Sequence, residues 1–282
     1  MNYIKETQIA DILKNALRED IGSQDITTNS IIPKSKQINA ILLAKENFVI
    51  CGIAIAGQLF RLRNRKVKFK PFVKDGQRVK KGQPLARLSG RARDILTAER
   101  VALNFLCLLS GIATKTHAYV KAVRPYRVKI MDTRKTLPGL RILQKYAVRI
   151  GGGYNHRMQL DEMIMVKDNH LKVMGSCLKL PKLKNGYSIE IEVKTLKEFK
   201  EILKLRPQII MLDNMKFKDM KKAVLLKKQL SAIGQPLSTK LEASGGITLK
   251  NIRKIASCGV GRISVGSLTH SFKSPDISLE VV

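Results

Sequence analysis

The 282-residue chain has no tryptophan, and aromatic residues make up only 5% of it. Nucleic-acid readers lean on aromatic platforms or a recognisable binding module, so this scarcity argues against a specific nucleic-acid partner. Cysteine is scarce as well. Cys51, Cys107, Cys177 and Cys258 lie far apart, and no pair has metal-ligand or redox spacing, which reads as free buried thiols. No G-x-x-x-x-G-K-[ST] phosphate loop, G-x-S-x-G nucleophile elbow or zinc pattern occurs. Long hydrophobic runs are missing too. The most apolar stretch, "VICGIAIAG", is too short to span a bilayer. The opening "MNYIKETQIADIL" carries Lys5, Glu6 and Asp11 and does not read as a signal peptide. The expectation is a soluble, cytoplasmic protein with no membrane partner.

Acids are the last shortage. There are 22 Asp and Glu against 53 Lys and Arg, a formal charge of +31. Such an excess favours anionic partners: nucleic acid, acidic surfaces or highly charged small substrates. Residues 61–93 alone hold thirteen Lys or Arg and a single acid, Asp75. A lysine-rich bias on solvated faces gives the same numbers, and both readings stay open at this point.

What is present is enough apolar material, 44% of residues, for a sizeable core. In the first hundred residues, Ile9, Ile12, Leu13 and Leu17 have helical spacing. "INAILLAKENFVICG" reads as strands and "GIAIAGQLFRLR" as a helix. "KVKFKPFVKDGQRVKKGQPLARLSG" alternates at period two, with turns at Asp75-Gly76 and Lys81-Gly82. This predicts an antiparallel α+β layer over 1–110. A long helical stretch follows, "RDILTAERVALNFLCLLSGIATKTHAYVKAV", which Gly111 is expected to break or bend, and the domain boundary is set there. From about 127, short strands alternate with helices: "RVKIMD", "MIMVKD", "SIEIEV", "IIMLDN", "KLEASG" and "RISVGS". That pattern predicts a parallel sheet. All six strands end in polar residues, which favours a β/α barrel over 111–269 with its site on the carboxyl-end face. An open doubly wound sheet gathers its chemistry near one switch point instead. Six strands make the barrel incomplete. The tail, about 270–282, is expected to pack back on the first domain.

The strand ends supply the candidate residues. Thr133, Arg134 and Lys135 sit in "IMDTRKTLPG", where two adjacent cations suit an anion clamp. Glu190 and Glu192 face one way on "SIEIEV", and Asp213 ends "IIMLD". Glu192 and Asp213 suit hydroxyl binding or Mg²⁺ beside a polyphosphate, or else internal ion pairs with Lys167 or Arg134. Ser244, Gly245 and Gly246, then Val265, Gly266 and Ser267, follow the last two strands, where barrels bind phosphate on backbone N–H groups. "RIGGGYNHR" first suggests another phosphate cradle. With that job placed at the last two strands, the glycines read as a flexible approach that aims His156 and Arg157 at carboxylates. His170 is placed to support Lys167.

"EDIGSQDITT", "TAERVALNFLCLLSGIAT", "DTRKTLPGLRILQKYAVRIGGGYNHR", "KDNHL", "IEIEV", "LDNM", "LEASGGI" and "ISVGSLTHS" occur in order across nearly the whole chain. Together they closely resemble the quinolinate phosphoribosyltransferase family, also called carboxylating nicotinate-nucleotide pyrophosphorylases. The resemblance implies a pentosyltransferase of NAD synthesis. Such an enzyme converts quinolinate and phosphoribosyl pyrophosphate to nicotinate mononucleotide, carbon dioxide and pyrophosphate, with Mg²⁺. It implies an α/β fold: an N-terminal open-faced α+β sandwich, then the incomplete barrel. It implies a homodimer or hexamer in which Arg100 reaches the neighbouring subunit's site. Site residues carried over are Arg100, Arg134, Lys135, His156, Arg157, Lys167, Glu192, Asp213, Ser244 to Gly246 and Val265 to Ser267. Glu192 and Asp213 would hold ribose hydroxyls and the metal, directly or through water, with Lys135 and Lys167 also serving catalysis. Two departures stand out: a shortened segment between Leu171 and Ser188, and Lys194 where the family commonly has an acid. A sister family found with molybdate transport genes shares these motifs and is the nearest rival.

Overall fold

The computed structural model describes residues 6–174, 186–232 and 238–282. Cys177 and most of the shortened segment, residues 175–185, lie outside the described residues. The chain forms two compact units interleaved along the sequence. The first comprises residues 1–117, 136–152 and 267–282, and the second 118–135 and 153–266.

In the first unit, α1 (Glu6–Ile21) buries Ile9, Leu13 and Leu17, one side chain per turn. α2 (Ile26–Ile31) starts at Asp25, whose carboxylate accepts the Thr28 N–H at 2.9 Å and the Thr97 hydroxyl at 2.9 Å. β1 (Gln37–Ala44) alternates as a half-buried strand should, with Ala40, Leu42 and Ala44 inward. β2 (Phe48–Val49), α3 (Ile53–Arg63), β3 (Lys68–Pro71), β4 (Arg78–Val79) and β5 (Pro84–Arg91) follow. β5 lies between β1 and β3, and β12 (Ile277–Val281) pairs antiparallel with the other side of β1. Phe69 on β3 stacks on Phe60 of α3 at 6.0 Å, while Lys68 and Lys70 point outward.

The helix α4 (Ala92–Ala122) continues unbroken past Gly111 for 31 residues. The expected break is absent because Gly111 serves packing. A Cβ there would lie 2.6 Å from the Lys273 carbonyl oxygen and 3.0 Å from the Phe272 ring. α4 is also long and apolar enough to cross a bilayer, yet 67% of that stretch is buried inside the fold, as in a core helix. α5 (Arg141–Ile150) belongs to the same unit. Its Tyr146 hydroxyl donates to Asp75 at 2.6 Å. Asp75 also accepts the Gly52 and Ile53 N–H groups at 2.9 and 3.0 Å, at the start of α3. The Asp-Gly hairpin turn is therefore an anchor for two helices.

The second unit holds the six expected strands: β6 (Lys129–Met131), β7 (Ile164–Val166), β8 (Ile189–Val193), β9 (Ile209–Asp213), β10 (Lys240–Ser244) and β11 (Arg262–Ser264). They form one parallel sheet in the order β6-β11-β10-β9-β8-β7. β6 and β7 are its two edges, so the ring of strands is incomplete. Between strands run α6 (Asp168–Met174), α7 (Leu196–Lys204), α8 (Phe217–Ala232) and α9 (Ile252–Ala256), and α10 (Ser267–His270) follows β11.

Candidate active site

Because the six strands are parallel, their carboxyl ends lie along one edge of the sheet, and the polar clusters gather there. The register brings Asp213 beside Ser244, and both Glu192 and Glu242 beside Met211. Partners in a parallel ladder share a face, so these acids look the same way.

At this end Glu192 is half-buried. Burial pushes its carboxyl above the ordinary range, and the neighbouring Asp213 charge pushes it further, while Lys167 draws it down. Asn214, in a left-handed conformation at φ 49°, donates through Nδ2 to Asp213 at 3.1 Å. The exposed Lys167 is anchored through its backbone, its N–H donating to His170 Nδ1 at 2.9 Å. His170 thus supports Lys167 at the main chain. Lys194 pairs with Asp168 at 2.8 Å, so this departure from the family pattern adds a cation beside the acids.

A second cluster forms around Arg134 and Arg157. Burial holds the Arg157 guanidinium below its ordinary value, and the Arg134 charge lowers it further, against the pull of Glu190. Arg157 also donates to the Met163 carbonyl at 2.9 Å. Two guanidinium groups held within reach of each other are unfavourable by themselves and favourable around an anion. Thr133 Oγ1 accepts the Lys135 N–H at 3.1 Å, and Lys135 is exposed. The buried Asp132 accepts the His156 backbone N–H at 2.8 Å, while Tyr154 bridges to Met131, so 154–156 is docked onto the β6 edge. His156 is itself buried, 8% exposed.

The glycine run of 151–153 is not a flexible approach. A Cβ on Gly151 would lie 2.5 Å from the Ala113 carbonyl and 2.6 Å from Thr116 Cβ, and Gly152 has φ 90°. The first glycine admits α4, and the second makes the turn that only glycine adopts without strain. Gly245 (φ 87°) and Gly246 (φ 59°) also need positive φ. A side chain at Gly245 would collide with the Asn214 amide. Val265 is buried on β11's end, its N–H donating to the Met131 carbonyl at 2.9 Å, with Gly266 next in the second unit. Ser267 opens α10 and groups with the first unit, as does Arg100, exposed on α4.

The family model for the quinolinate phosphoribosyl transferase C-terminal domain matches residues 112–280, and that for its N-terminal domain matches 25–110. The chain belongs to the quinolinate phosphoribosyltransferase family. A nicotinate-nucleotide pyrophosphorylase [carboxylating] from Mycobacterium leprae is 40% identical over 280 residues, 96% of each chain. A probable one from Methanocaldococcus jannaschii is 42% identical, again over 96% of each. The solved structure of NadC from Streptococcus pyogenes is 40% identical with a TM-score of 0.90, covering 99% of this chain and 98% of that one.

Within this family fold, sequence reasoning passed over Glu242 and left Glu190 without a task. Both are fully buried beneath the strand ends. His156 Nε2 lies 3.0 Å from Glu190 and 3.6 Å from Glu242, and Ser264 Oγ donates to Glu242. The available signal was period two: Glu242 shares a face with Ser244, and Glu190 with Glu192.

Burial and the Glu190 charge push the Glu242 carboxyl from 4.5 up to about 7, against the pull of His156. The folded protein therefore holds a proton that the unfolded chain has released. That stabilisation is complete below pH 4.5 and lost as pH rises through about 7. In Glu242→Gln, a permanent mimic of the protonated acid, this slope should flatten. Melting temperatures from about pH 5 to about pH 8 test it, and parallel curves for both proteins would refute it.

Proposed function

We propose that this chain transfers phosphoribosyl from phosphoribosyl pyrophosphate to quinolinate with decarboxylation, giving nicotinate mononucleotide, carbon dioxide and pyrophosphate for NAD synthesis. One observation supports the reading most: a paired-guanidinium cluster and a paired-carboxylate cluster lie on one end of a parallel sheet. Quinolinate is a dicarboxylate, and Arg134 and Arg157 are matched to it, whereas both ring nitrogens of His156 turn inward and not, as the sequence suggested, to a ligand. Gly245 and Gly246 offer backbone N–H groups to phosphate, and Lys135 and Lys167 add charge, whereas the Val265 N–H is already taken by the Met131 carbonyl. Orientation brings the pyridine nitrogen to the anomeric carbon, and the Glu192 and Asp213 carboxylates stabilise positive charge growing on the ribose. Decarboxylation follows at the ring carbon beside the quaternary nitrogen: the bond to carbon dioxide breaks, its electron pair stays on that carbon, stabilised by the adjacent positive charge, and a proton from solvent takes the vacated position.

Glu192 and Asp213 also suit Mg²⁺, since they are hard oxygen donors whose mutual repulsion a cation relieves. When bound, Mg²⁺ neutralises charge on the departing pyrophosphate. We also assign a cytoplasmic location, which the free thiols Cys51, Cys107 and Cys258 suit. A homodimer or hexamer with Arg100 completing the neighbour's site belongs to the same proposal, and the exposure of Arg100 leaves it free to do so.

The purified protein, given both substrates, should release carbon dioxide and form nicotinate mononucleotide. Chelation of Mg²⁺ should lower the rate by at least about tenfold, with recovery on adding the ion back. Turnover of nicotinate alone, or of neither pyridine, would defeat the substrate assignment and favour the molybdate-associated sister family.

A further inference from the structure

The buried acids under His156 have no part in the chemistry above, yet a buried carboxylate is costly to keep. Glu190 is 0% exposed, and its close polar neighbour is His156 Nε2 at 3.0 Å. Neither of its carboxylate oxygens makes a hydrogen bond among the described residues, so the 3.0 Å approach is a charge contact. Glu242, also 0% exposed, accepts the Ser264 hydroxyl on Oε1, which lies 3.6 Å from the same Nε2, while its Oε2 lies 3.8 Å from Arg262. The other face of the imidazole is also engaged. His156 Nδ1 accepts the Arg157 backbone N–H at 2.9 Å, so Nδ1 carries no hydrogen and Nε2 does. An Nε2 that bears hydrogen cannot ligate a metal ion. The two acids therefore press on the Nε2 edge at 3.0 and 3.6 Å as charge contacts, and the triad of His156, Glu190 and Glu242 is a clamp on a ring.

We propose that Glu190, backed by Glu242, is a positioning residue: it fixes the orientation of His156 and, through Nδ1, the backbone from which Arg157 reaches the substrate. The chain of contacts runs from the sheet interior to the cationic cluster. Ser264 and Arg262 set Glu242, the two acids set the ring, and the ring sets the Arg157 N–H. Asp132 fixes the His156 backbone from the other side. The proposal rests on the reading that Arg157 receives a quinolinate carboxylate.

Two substitutions separate reach from charge. Glu190→Asp keeps the charge but withdraws the carboxylate by one methylene. Glu190→Gln removes the charge but keeps a side chain of the same reach against Nε2. We expect Glu190→Asp to raise the KM for quinolinate about fivefold or more, with the KM for phosphoribosyl pyrophosphate within about twofold. Glu190→Gln should stay within about twofold of the parent for both. Added to His156→Ala, Glu190→Asp should change the quinolinate KM no further, since the group it positions is gone. The reverse ranking, with Gln worse than Asp, would mean that charge balance in the core is the role, and would overturn the proposal. Equal shifts in both KM values, or full additivity with His156→Ala, would overturn it too. If His156→Ala and Arg157→Ala both leave the quinolinate KM unmoved, the substrate reading of the site fails instead.

Discussion

Arg157→Ala should raise the KM for quinolinate about 30-fold or more while that for phosphoribosyl pyrophosphate stays within about threefold. A charge-assisted hydrogen bond to a carboxylate contributes about 2–3 kcal/mol, and each 1.4 kcal/mol is about tenfold in affinity. Arg157 is pre-set for that contact by its bond to the Met163 carbonyl and by its half-buried setting, which denies it full hydration. The loss is not simply one of charge. Arg157→Lys keeps the cation and discards the fork, so it should recover only part of the affinity. Steady-state kinetics with each substrate varied in turn decide the matter. A larger shift for phosphoribosyl pyrophosphate would return the 151–157 stretch to phosphate binding.

Asp75→Ala should destabilise the protein by about 3–4 kcal/mol, lowering the melting temperature by roughly 10 °C. One carboxylate accepts three donors: Gly52 N–H, Ile53 N–H and the Tyr146 hydroxyl. Two of these are backbone groups at the N-terminus of α3, where an anion is favoured. Tyr146 is buried, 4% exposed, and burial together with the Asp75 charge holds its hydroxyl proton on. Removing Asp75 leaves that hydroxyl facing apolar surroundings. Tyr146→Phe should be milder, about 1–2 kcal/mol, because it removes donor and demand together. Calorimetry of both variants checks the ranking, and a Phe variant as unstable as the Ala variant would contradict it.

These examples mark what local pattern reveals and what it hides. The six parallel strands were legible because each apolar run ended in polar residues, and alternation placed Glu192, Asp213 and Ser244 on that edge. β3 was legible because Lys66, Lys68 and Lys70 alternate with Val67 and Phe69. Gly111 was misread because a lone glycine in a helix looks like a break until a distant backbone, Phe272–Lys273, is seen against it. Gly151 and Gly152 looked like slack for the same reason. Asp75 looked like a turn residue because its partners come from 22 to 71 positions away. Glu190 and Glu242 acquire a purpose only when β8 and β10 bring them under His156. In each case the missing information was a long-range contact, which no local spacing encodes.

The pairing of β1 with β12 carries a consequence for synthesis. Lys45 and Glu280, joined at 2.8 Å beside that pair, are 235 positions apart. A ribosome adding about 5–20 residues per second needs on the order of tens of seconds to cover that distance. Throughout that interval one side of β1 presents bare backbone donors and acceptors, the kind of edge on which nascent chains stick together. The sheet of the first unit is therefore completed only after the barrel strands have emerged.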